Sequence, residues 1–397
     1  MKPLCLAANG AWLASSLPAA LAFRANLHRA AEVQEAVLLR ILWRNASTEF
    51  GRAHGFASVR SVREYQERVP VRTYDEYGEV TASGVTHYER TSGSSGAAKR
   101  IPYNRELRAE MGRAIAPWIV SLFAAHPAAF AGEAYWSISP VLAEEDGSLG
   151  DEEHLGPMRA RLVRPVQAVP SDVRFIRDVD EFRRTTLEHL LRCRTLSLIS
   201  VWHPSFLLLL LGDLRERAAT LWPNLRVISC WSDANAARDA VELARIFPRT
   251  HIQPKGLLST EGFVSIPIAD AEAPALAYRS HFYELRCTRT DRVLPATRGE
   301  VGGRYRVVLT TGAGLYRYDT EDVIEIVGFR DACPLLRFVG RAQHISDHYG
   351  EKLNEIFVRE RLERALSQHG IDATFAMLAC EENTYVLFIE SAADDKP

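Results

Sequence analysis

The sequence predicts an α/β fold in which a large domain is followed by a smaller one. The chain has 397 residues, which is too many for one small domain. Over residues 178–247, helical patterns alternate with short apolar runs, an order that is typical of a sheet with parallel strands. Beyond residue 276 the pattern changes to shorter strands. We therefore expect mixed sheets with flanking helices.

The composition is that of an ordinary globular protein, with 47% hydrophobic and 25% charged residues. The net charge of −2 gives no reason to expect a nucleic-acid or anionic-membrane partner. The six cysteines are scattered without a C-x-x-C pair, so they indicate neither a zinc site nor a disulfide framework. This pattern fits a reducing compartment, and we expect a cytoplasmic protein.

The N-terminal residues are predicted to form helices of the globular protein rather than a signal peptide. Lys2 and the apolar residues after it resemble a weak signal sequence. The apolar stretch is interrupted by the polar residues Asn9, Ser15 and Ser16. A helical pattern then continues across residues 10–45. The longest apolar run, Phe206 to Leu211, is far shorter than the roughly 20 residues of a membrane span. We therefore expect no membrane partner.

The remaining elements follow from local signals along the chain. Helical spacing predicts helices over residues 30–45, 106–120, 178–195, 205–217 and 234–247. Ser61 is a predicted N-cap because Glu64 stands three residues later, as in a capping box. Thr73 is predicted to cap a short helix that ends near Gly84. Strands are predicted over residues 87–90, 100–103, 134–142, 196–201, 225–231, 283–286 and 303–310.

A run of small residues separates the strands predicted at 87–90 and 100–103. It reads Thr91-Ser92-Gly93-Ser94-Ser95-Gly96-Ala97-Ala98-Lys99. Glycine lets backbone N–H groups approach an anion, serine hydroxyls add donors, and lysine adds a charge. The spacing of a Walker loop is absent, and a flexible surface loop has a similar composition. The run predicts a phosphate-binding loop if the motifs downstream agree with it.

Three further motifs follow in the order found in adenylate-forming enzymes. Thr260-Glu261 lies near the end of the stretch from His251 to Gly262. Residues 314–323 read Gly-Leu-Tyr-Arg-Tyr-Asp-Thr-Glu-Asp-Val. Gly340-Arg341 stands ten positions before Gly350. The loop at 91–99 is also similar to the pattern [ST]-S-G-[ST]-[ST]-G-x-x-K of that superfamily. The chain therefore resembles adenylate-forming enzymes across four motifs.

More specifically, the chain resembles the Gretchen Hagen family of acyl-acid amido synthetases and its bacterial relatives. The resemblance is carried by Asn45-Ala46-Ser47-Thr48-Glu49-Phe50-Gly51-Arg52-Ala53-His54-Gly55-Phe56, Val69-Pro70-Val71-Arg72-Thr73-Tyr74 and Gly350-Glu351-Lys352-Leu353-Asn354-Glu355. It implies a large N-terminal adenylate-forming domain, residues 1–340, with mixed sheets and flanking helices. A small, shortened α+β C-terminal domain, residues 341–397, would follow a hinge near Gln343-His344.

The resemblance assigns roles to individual residues. It implies that the β- and γ-phosphates of ATP are held by Ser92, Gly93, Ser94, Ser95, Gly96 and Lys99. Thr260 would position the α-phosphate, and Glu261 would bind Mg²⁺, which prefers oxygen ligands. Lys99, Thr260 and Glu261 are the implied catalytic residues.

The same resemblance implies that Asp322 and Arg341 hold the ribose. The spacing from Tyr316-Arg317-Tyr318 matches Asp322 to the ribose-binding aspartate. Asp319 and Glu321 are instead predicted to be acidic residues of a hairpin turn.

The implied reaction is ATP-dependent activation of a small carboxylic acid as an acyl adenylate, followed by transfer to an amine. The acid would be aryl, indolyl or aliphatic, and the amine most often an amino acid. Trp136, Trp202 and Trp231 are candidates to line an apolar pocket, although such residues are more often plain core. A hydrolase is not indicated, because no G-x-S-x-G motif is present.

Two alternatives remain open at this stage. A thioester-forming ligase shares the first half-reaction but uses coenzyme A or a carrier-protein thiol. A non-catalytic relative would bind nucleotide or a partner. The second alternative is motivated by Leu257, which stands where the family has an aromatic residue against adenine. It is also motivated by the short segment after Gly350, where Lys396 is a poor substitute for the family's late lysine.

Overall fold

The computed structural model describes residues 2–77, 83–90, 99–137, 166–342, 345–346, 353–381 and 384–391. The candidate phosphate loop, apart from Lys99, lies outside these residues. So do the predicted hinge at Gln343-His344, Gly350 and Lys396.

The α-helices of the described residues follow the predicted pattern closely. They are α1 Pro3–Ala25, α2 Ala30–Arg44, α3 Glu49–Ala53, α4 Val62–Arg68, α5 Arg105–Ala125, α6 Val179–Arg192, α7 Pro204–Leu211, α8 Ala218–Leu221, α9 Ala237–Ile246 and α10 Glu355–Gln368. Side chains cap five of them, at Thr48, Ser61, Asn104, Asp178 and His203. The predicted N-cap at Ser61 is confirmed, since its side chain accepts a hydrogen bond from the Glu64 backbone N–H.

Two predicted helices differ from the observed ones. The helix predicted over 205–217 ends as an α-helix at Leu211 and continues as a 3₁₀-helix over Gly212–Arg217. The change occurs at Gly212, whose φ of 45° lies outside the right-handed helical region. Thr73 precedes the 3₁₀ turn Tyr74–Glu76 instead of the longer helix predicted to end near Gly84, and its backbone N–H donates to Glu76 Oε2 at 2.7 Å.

The strands of the described residues form two main sheets and three hairpins. The first half comprises β1 His87–Arg90, β2 Arg100–Tyr103, β3 Glu133–Trp136, β4 Leu196–Ser200, β5 Val227–Cys230, β6 His251–Pro254, β7 Ser265–Ile266, β8 Ala275–Leu276 and β9 Phe282–Cys287. The second half comprises β10 Val293–Pro295, β11 Arg304–Thr310, β12 Tyr318–Arg330, β13 Cys333–Arg341, β14 Ile345–Ser346, β15 Leu353–Asn354, β16 Ala373–Glu381 and β17 Thr384–Ser391.

The parallel sheet predicted from the alternation of strands and helices is confirmed. It contains four strands in the order β3-β4-β5-β6, all parallel. All residues of β4 and β5 are buried, and α6, α7 and α9 contribute to the same core. Strands covered on both faces carry continuous apolar runs, which explains why this sheet could be predicted from the sequence.

The second large sheet has seven strands in the order β10-β9-β11-β12-β13-β8-β7. Its central pairs are antiparallel, and β12 pairs with both β11 and β13. Its inward residues share one hydrophobic core with α1 and α5. Helix α5 therefore bridges the two sheets, because that core also includes Leu198 and Val227 of the parallel sheet.

Helix α1 is the only helix of the described residues that is long and apolar enough to cross a membrane by length and composition. It packs against α5 and buries Trp12 and Phe23 in the main core. A single helix of this kind is weak evidence for a membrane span, since buried helices of globular proteins meet the same criterion.

The last described residues contain α10 and the hairpin formed by β16 and β17, which are antiparallel. The order is therefore a helix followed by an antiparallel hairpin. Only residues 382–383 separate the two strands, whereas parallel strands need a long crossover.

Candidate functional site

The first residues of β12 form the centre of the candidate site. Lys99 Nζ donates a hydrogen bond to the Tyr318 hydroxyl at 2.9 Å. That hydroxyl donates in turn to Glu261 Oε1 at 3.3 Å. Burial raises the pKa of Tyr318, so the phenol stays protonated at neutral pH. Tyr318 thereby joins the lysine before β2 to the carboxylate on the loop after β6.

Glu261 lies at the tip of a tight hairpin loop. The backbone N–H groups of Val264 and Ser265 donate to the carbonyl of Leu257, and Leu258 forms a bridge with Phe263. On the other side of the tip, the Tyr103 hydroxyl donates to the Thr260 carbonyl at 2.9 Å. The loop is therefore held from both its base and its tip, with the Glu261 side chain nearly buried.

Asp322 and Arg341 face each other across β12 and β13. They are paired in register, and Arg341 Nε lies 3.2 Å from Asp322 Oδ1. Burial raises the pKa of Asp322 to about 7, although the Arg341 guanidinium opposes this shift. The charges of Glu261 and Lys99 also act on Asp322, in opposite directions. The four side chains thus share one electrostatic environment.

Asp319 and Glu321 are not residues of a hairpin turn, and that prediction is wrong. The turn lies earlier, where the Thr311 N–H donates to the Leu315 carbonyl, and both acidic residues already belong to β12. Asp319 is fully buried and lies 3.3 Å from Arg286 and 3.1 Å from Arg306. These arginines belong to other strands, β9 and β11, so the motif around Asp319 did not indicate the pairing.

Glu321 is also buried, and its backbone φ of 66° is one that residues other than glycine rarely adopt. Its N–H donates to Asp319 Oδ1 at 3.0 Å, and burial raises the pKa of its carboxyl group. Asp319 and Asp322, three residues apart on the same strand, therefore have different arginine partners.

A buried histidine connects the Glu261 loop to a second loop. The Phe263 N–H donates to His281 Nε2 at 3.3 Å, so the proton is on Nδ1, which donates to Glu110 Oε2 at 2.9 Å. Glu110 also accepts from the Gly312 N–H at 3.1 Å. His281 and Glu110 therefore fix the position of the hairpin that presents Glu261. Sequence reasoning missed both residues, because they lie 171 positions apart.

Single carboxylates rather than a metal-binding cluster characterise the described residues. They contain no group of three or more His, Cys, Asp and Glu side chains that could hold a metal ion. Mg²⁺ is usually bound through one or two carboxylates together with phosphate oxygens. Glu261 offers such a carboxylate, and Lys99 and Arg341 add cations for an anionic ligand.

The structure brings together Lys99, Glu261, Asp322 and Arg341, with Thr260 at the tip of the same loop. Their predicted roles toward ATP and Mg²⁺ remain predictions. Leu257 is half-buried against the main core. Tyr318 was missed as a functional residue, although its place between the arginine and aspartate of the quoted motif was a usable signal.

Family models place the chain among known proteins. The model of the GH3 family N-terminal domain matches residues 20–218, and that of the GH3 family central domain matches residues 274–341. The chain is 28% identical over 196 residues to a probable indole-3-acetic acid-amido synthetase GH3.9 from Oryza sativa subsp. japonica. That alignment covers 45% of this chain and 44% of the rice protein.

A second relative is the indole-3-acetic acid-amido synthetase GH3.8 from Oryza sativa subsp. indica. It is 34% identical over 106 residues, which are 25% of this chain and 18% of that protein. The aligned parts thus span less than half of either relative's length.

Solved structures share the fold over almost the whole chain. The AtGH3.15 acyl acid amido synthetase in complex with 2,4-DB superposes with a TM-score of 0.79 at 17% identity, covering 95% of this chain and 82% of that one. A 2-hydroxyisobutyryl-CoA ligase gives a TM-score of 0.53 at 13% identity, covering 91% and 78%. These likenesses confirm the expected fold, a large N-terminal domain with a smaller C-terminal one. Since the N-terminal domain model alone matches half of the sequence, the chain belongs to the GH3 family.

Proposed function

We propose that the protein activates a small carboxylic acid with ATP as an acyl adenylate and transfers the acyl group to an amine, most often that of an amino acid. The observation that carries this proposal is the convergence of Lys99, Glu261, Asp322 and Arg341 around Tyr318. Two cations and two carboxylates at one point match the needs of a magnesium nucleotide. The names of the rice relatives, both amido synthetases, support the same reaction.

The first half-reaction brings two anions together. The carboxylate of the acid attacks the α-phosphate, a mixed anhydride forms, and pyrophosphate leaves. Positioning and charge stabilisation are the main tasks of a protein in such a step. Lys99 would contact the β- and γ-phosphates together with Ser92, Gly93, Ser94, Ser95 and Gly96. Thr260 would position the α-phosphate.

Glu261 would hold Mg²⁺, which neutralises charge on the phosphate oxygens when it is bound. Asp322 would accept hydrogen bonds from the ribose hydroxyls, and Arg341 would hold Asp322 in place through their ion pair. Tyr318 would keep Lys99 and Glu261 at a fixed separation. In the second half-reaction, the amine attacks the acyl carbon and AMP leaves.

A thioester-forming ligase is the main competing function. The likeness to the 2-hydroxyisobutyryl-CoA ligase concerns the fold alone. The two functions differ only in the acceptor, so acceptor choice separates them. A non-catalytic relative is the third possibility, motivated by Leu257 at the expected adenine-stacking position.

The free cysteines of the described residues support a reducing compartment such as the cytoplasm.

The test is pyrophosphate release measured with ATP and Mg²⁺ across aryl, indolyl and aliphatic acids. We expect acid-dependent release from the parent protein and a loss of about 10²-fold or more in Glu261→Gln, which keeps the shape but removes the charge. Glu272→Gln is the matched control, because Glu272 is an exposed glutamate on another loop. Equal rates in Glu261→Gln and the parent would refute the assigned role of Glu261.

The acceptor is identified in the same reaction. Amino acids or coenzyme A are added after the adenylate has formed, and the products are separated by mass. An amide supports the proposal, whereas a thioester supports the competing ligase. Acid-independent ATP binding without pyrophosphate release from any acid would favour the non-catalytic reading.

A further inference from the structure

Phe263, two residues after Glu261, is held at both of its backbone polar groups. Its N–H donates to His281 Nε2 at 3.3 Å, and its carbonyl accepts from the Tyr283 hydroxyl at 2.6 Å. His281 directly precedes β9 and Tyr283 belongs to it, and both side chains are fully buried. Because consecutive Cα atoms are only about 3.8 Å apart, a backbone held at Phe263 limits where the Glu261 carboxylate can lie.

His281 extends this contact to Glu110 on α5. Since Nε2 accepts from the Phe263 N–H, the neutral ring carries its proton on Nδ1, which donates to Glu110 Oε2 at 2.9 Å. Both oxygens of Glu110 lie 3.1 Å from the Gly312 N–H, in the turn that precedes β12. The imidazole and the carboxylate therefore join the Glu261 loop to that turn.

Two glycines pack directly on this buried pair. A Cβ atom on Gly262 would lie 2.9 Å from His281 Nε2, and one on Gly312 would lie 2.7 Å from Glu110 Oε1. The side chains of His281 and Glu110 are 0% and 2% exposed. Loss of a hydrogen bond here would leave a buried donor unsatisfied, which favours a shift of the loop that carries it. The position of the Glu261 loop therefore depends on the hydrogen bonds of His281.

We propose that His281 sets the affinity of the nucleotide site for Mg²⁺, by accepting the Phe263 N–H and so holding Glu261 in place. This inference rests on the proposed function, because it depends on Glu261 as the Mg²⁺ ligand. Mg²⁺ demands near-ideal octahedral geometry, so its affinity is sensitive to a displaced carboxylate. His281 and Glu110 are positioning residues, since they act through the loop and not on the ligand.

The experiment measures how much Mg²⁺ tightens nucleotide binding. Dissociation constants of α,β-methylene ATP, which is not cleaved between its α- and β-phosphates, are determined by calorimetry in Mg²⁺ and in EDTA. The ratio of the EDTA value to the Mg²⁺ value is the Mg²⁺ gain. We expect a gain well above one in the parent protein, because Glu261 then shares the metal with the phosphate oxygens.

Two replacements of His281 separate the ends of the contact. Asparagine can place an amide N–H where Nδ1 donates to Glu110, but it offers no acceptor to the Phe263 N–H. Glutamine reaches one atom further and offers a carbonyl oxygen in place of Nε2. We expect His281→Asn to lower the Mg²⁺ gain by about 10- to 100-fold and His281→Gln to lower it less. The affinity in EDTA should stay the same in both.

Glu110→Gln tests the other end of the contact. Either orientation of the new amide places its NH₂ group against a donor, the Gly312 N–H or the His281 Nδ1–H. The Mg²⁺ gain should fall by about 10-fold or more. Glu106→Gln is the matched control, because Glu106 lies one turn earlier on α5 and pairs with the partly exposed Arg44. It should keep the gain of the parent.

Unfolding midpoints measured without nucleotide separate this role from a purely structural one. A structural role would lower the midpoints of the His281 variants and leave the Mg²⁺ gain unchanged, which would overturn the inference. Equal losses of gain in His281→Asn and His281→Gln would overturn it as well. If neither variant folds, Tyr283→Phe replaces them, because it releases the Phe263 carbonyl and should also lower the gain.

Failure of this inference and failure of the proposed function give different results. Acid-dependent pyrophosphate release, together with the parent's Mg²⁺ gain in His281→Asn, overturns the role of His281 and leaves the function intact. A lowered gain in His281→Asn, without pyrophosphate release from the parent with any acid, supports the role of His281 and refutes the catalytic function.

Discussion

The parallel and antiparallel sheets of this protein bury different kinds of side chain. Strands β4 and β5 bury leucine, isoleucine and valine side chains together with small polar residues, and Lys255 follows directly after β6. Around β12, by contrast, the antiparallel sheet buries ion pairs. They are Glu284 with Arg317, Asp319 with Arg286 and Arg306, and Asp322 with Arg341.

The ion pairs around β12 are of two kinds: one kind stabilises the fold, and the other is available to a ligand. Glu284 accepts from Arg317 Nε and Nη2 at 2.9 and 3.0 Å, and Arg317 also donates to two backbone carbonyls. Such a two-pronged pair is already satisfied. The Asp322 and Arg341 pair lies beside Glu261, within the group of residues assigned to ATP. Pairs that lie close together at the start of β12 therefore have different expected roles, and mutations can tell them apart.

The largest loss of stability is expected from Glu284→Gln. This change leaves the Arg317 charge buried without its carboxylate, which costs about 3–5 kcal/mol in comparable pairs. Urea unfolding measures the effect. Glu67→Gln is the matched control, because Glu67 pairs with Arg63 on the exposed face of α4 and its loss should leave the midpoint unchanged. Equal midpoints in the two variants would show that the Glu284 pair is not structural.

The second prediction compares Asp319→Asn with Asp322→Asn. Asp319 is fully buried between two arginines, so its replacement should lower the free energy of unfolding by about 1–3 kcal/mol and leave ATP affinity nearly unchanged. Asp322→Asn should instead weaken ATP binding by about 10- to 100-fold, because a charged acceptor for the ribose is lost. Calorimetric titration with ATP gives the affinities. The reverse order would show that the ribose residue is Asp319.

The same contrast explains which features could be predicted from the sequence and which could not. The apolar parallel sheet, the strands beside the candidate phosphate loop and the cap at Ser61 all depend on local patterns, and they were predicted. Asp319 was misread because its partners come from β9 and β11, which its neighbours in the sequence do not reveal. The His281–Glu110 pair, whose members lie 171 positions apart, was missed for the same reason.

The smallest expected effect concerns pH and again distinguishes Asp322. Burial raises the pKa of its carboxyl group from 3.8 to about 7 in the folded protein. The folded state therefore binds more protons than the unfolded state between these values. Stability should fall as the pH rises through that window and change no further above it.

Comparing the parent with Asp322→Asn isolates this contribution, because the other titrating groups are present in both. Histidines such as His203 and His126, whose pKa values are lowered by burial, change their charge over similar pH values and cancel in the difference. We expect Asp322→Asn to gain about 1 kcal/mol relative to the parent between pH 6 and pH 8. Chemical unfolding without nucleotide at the two pH values measures the gain. A difference that does not depend on pH would mean that Arg341 keeps Asp322 ionised throughout. The pair would then resemble the satisfied Glu284 pair rather than a site prepared for a ligand.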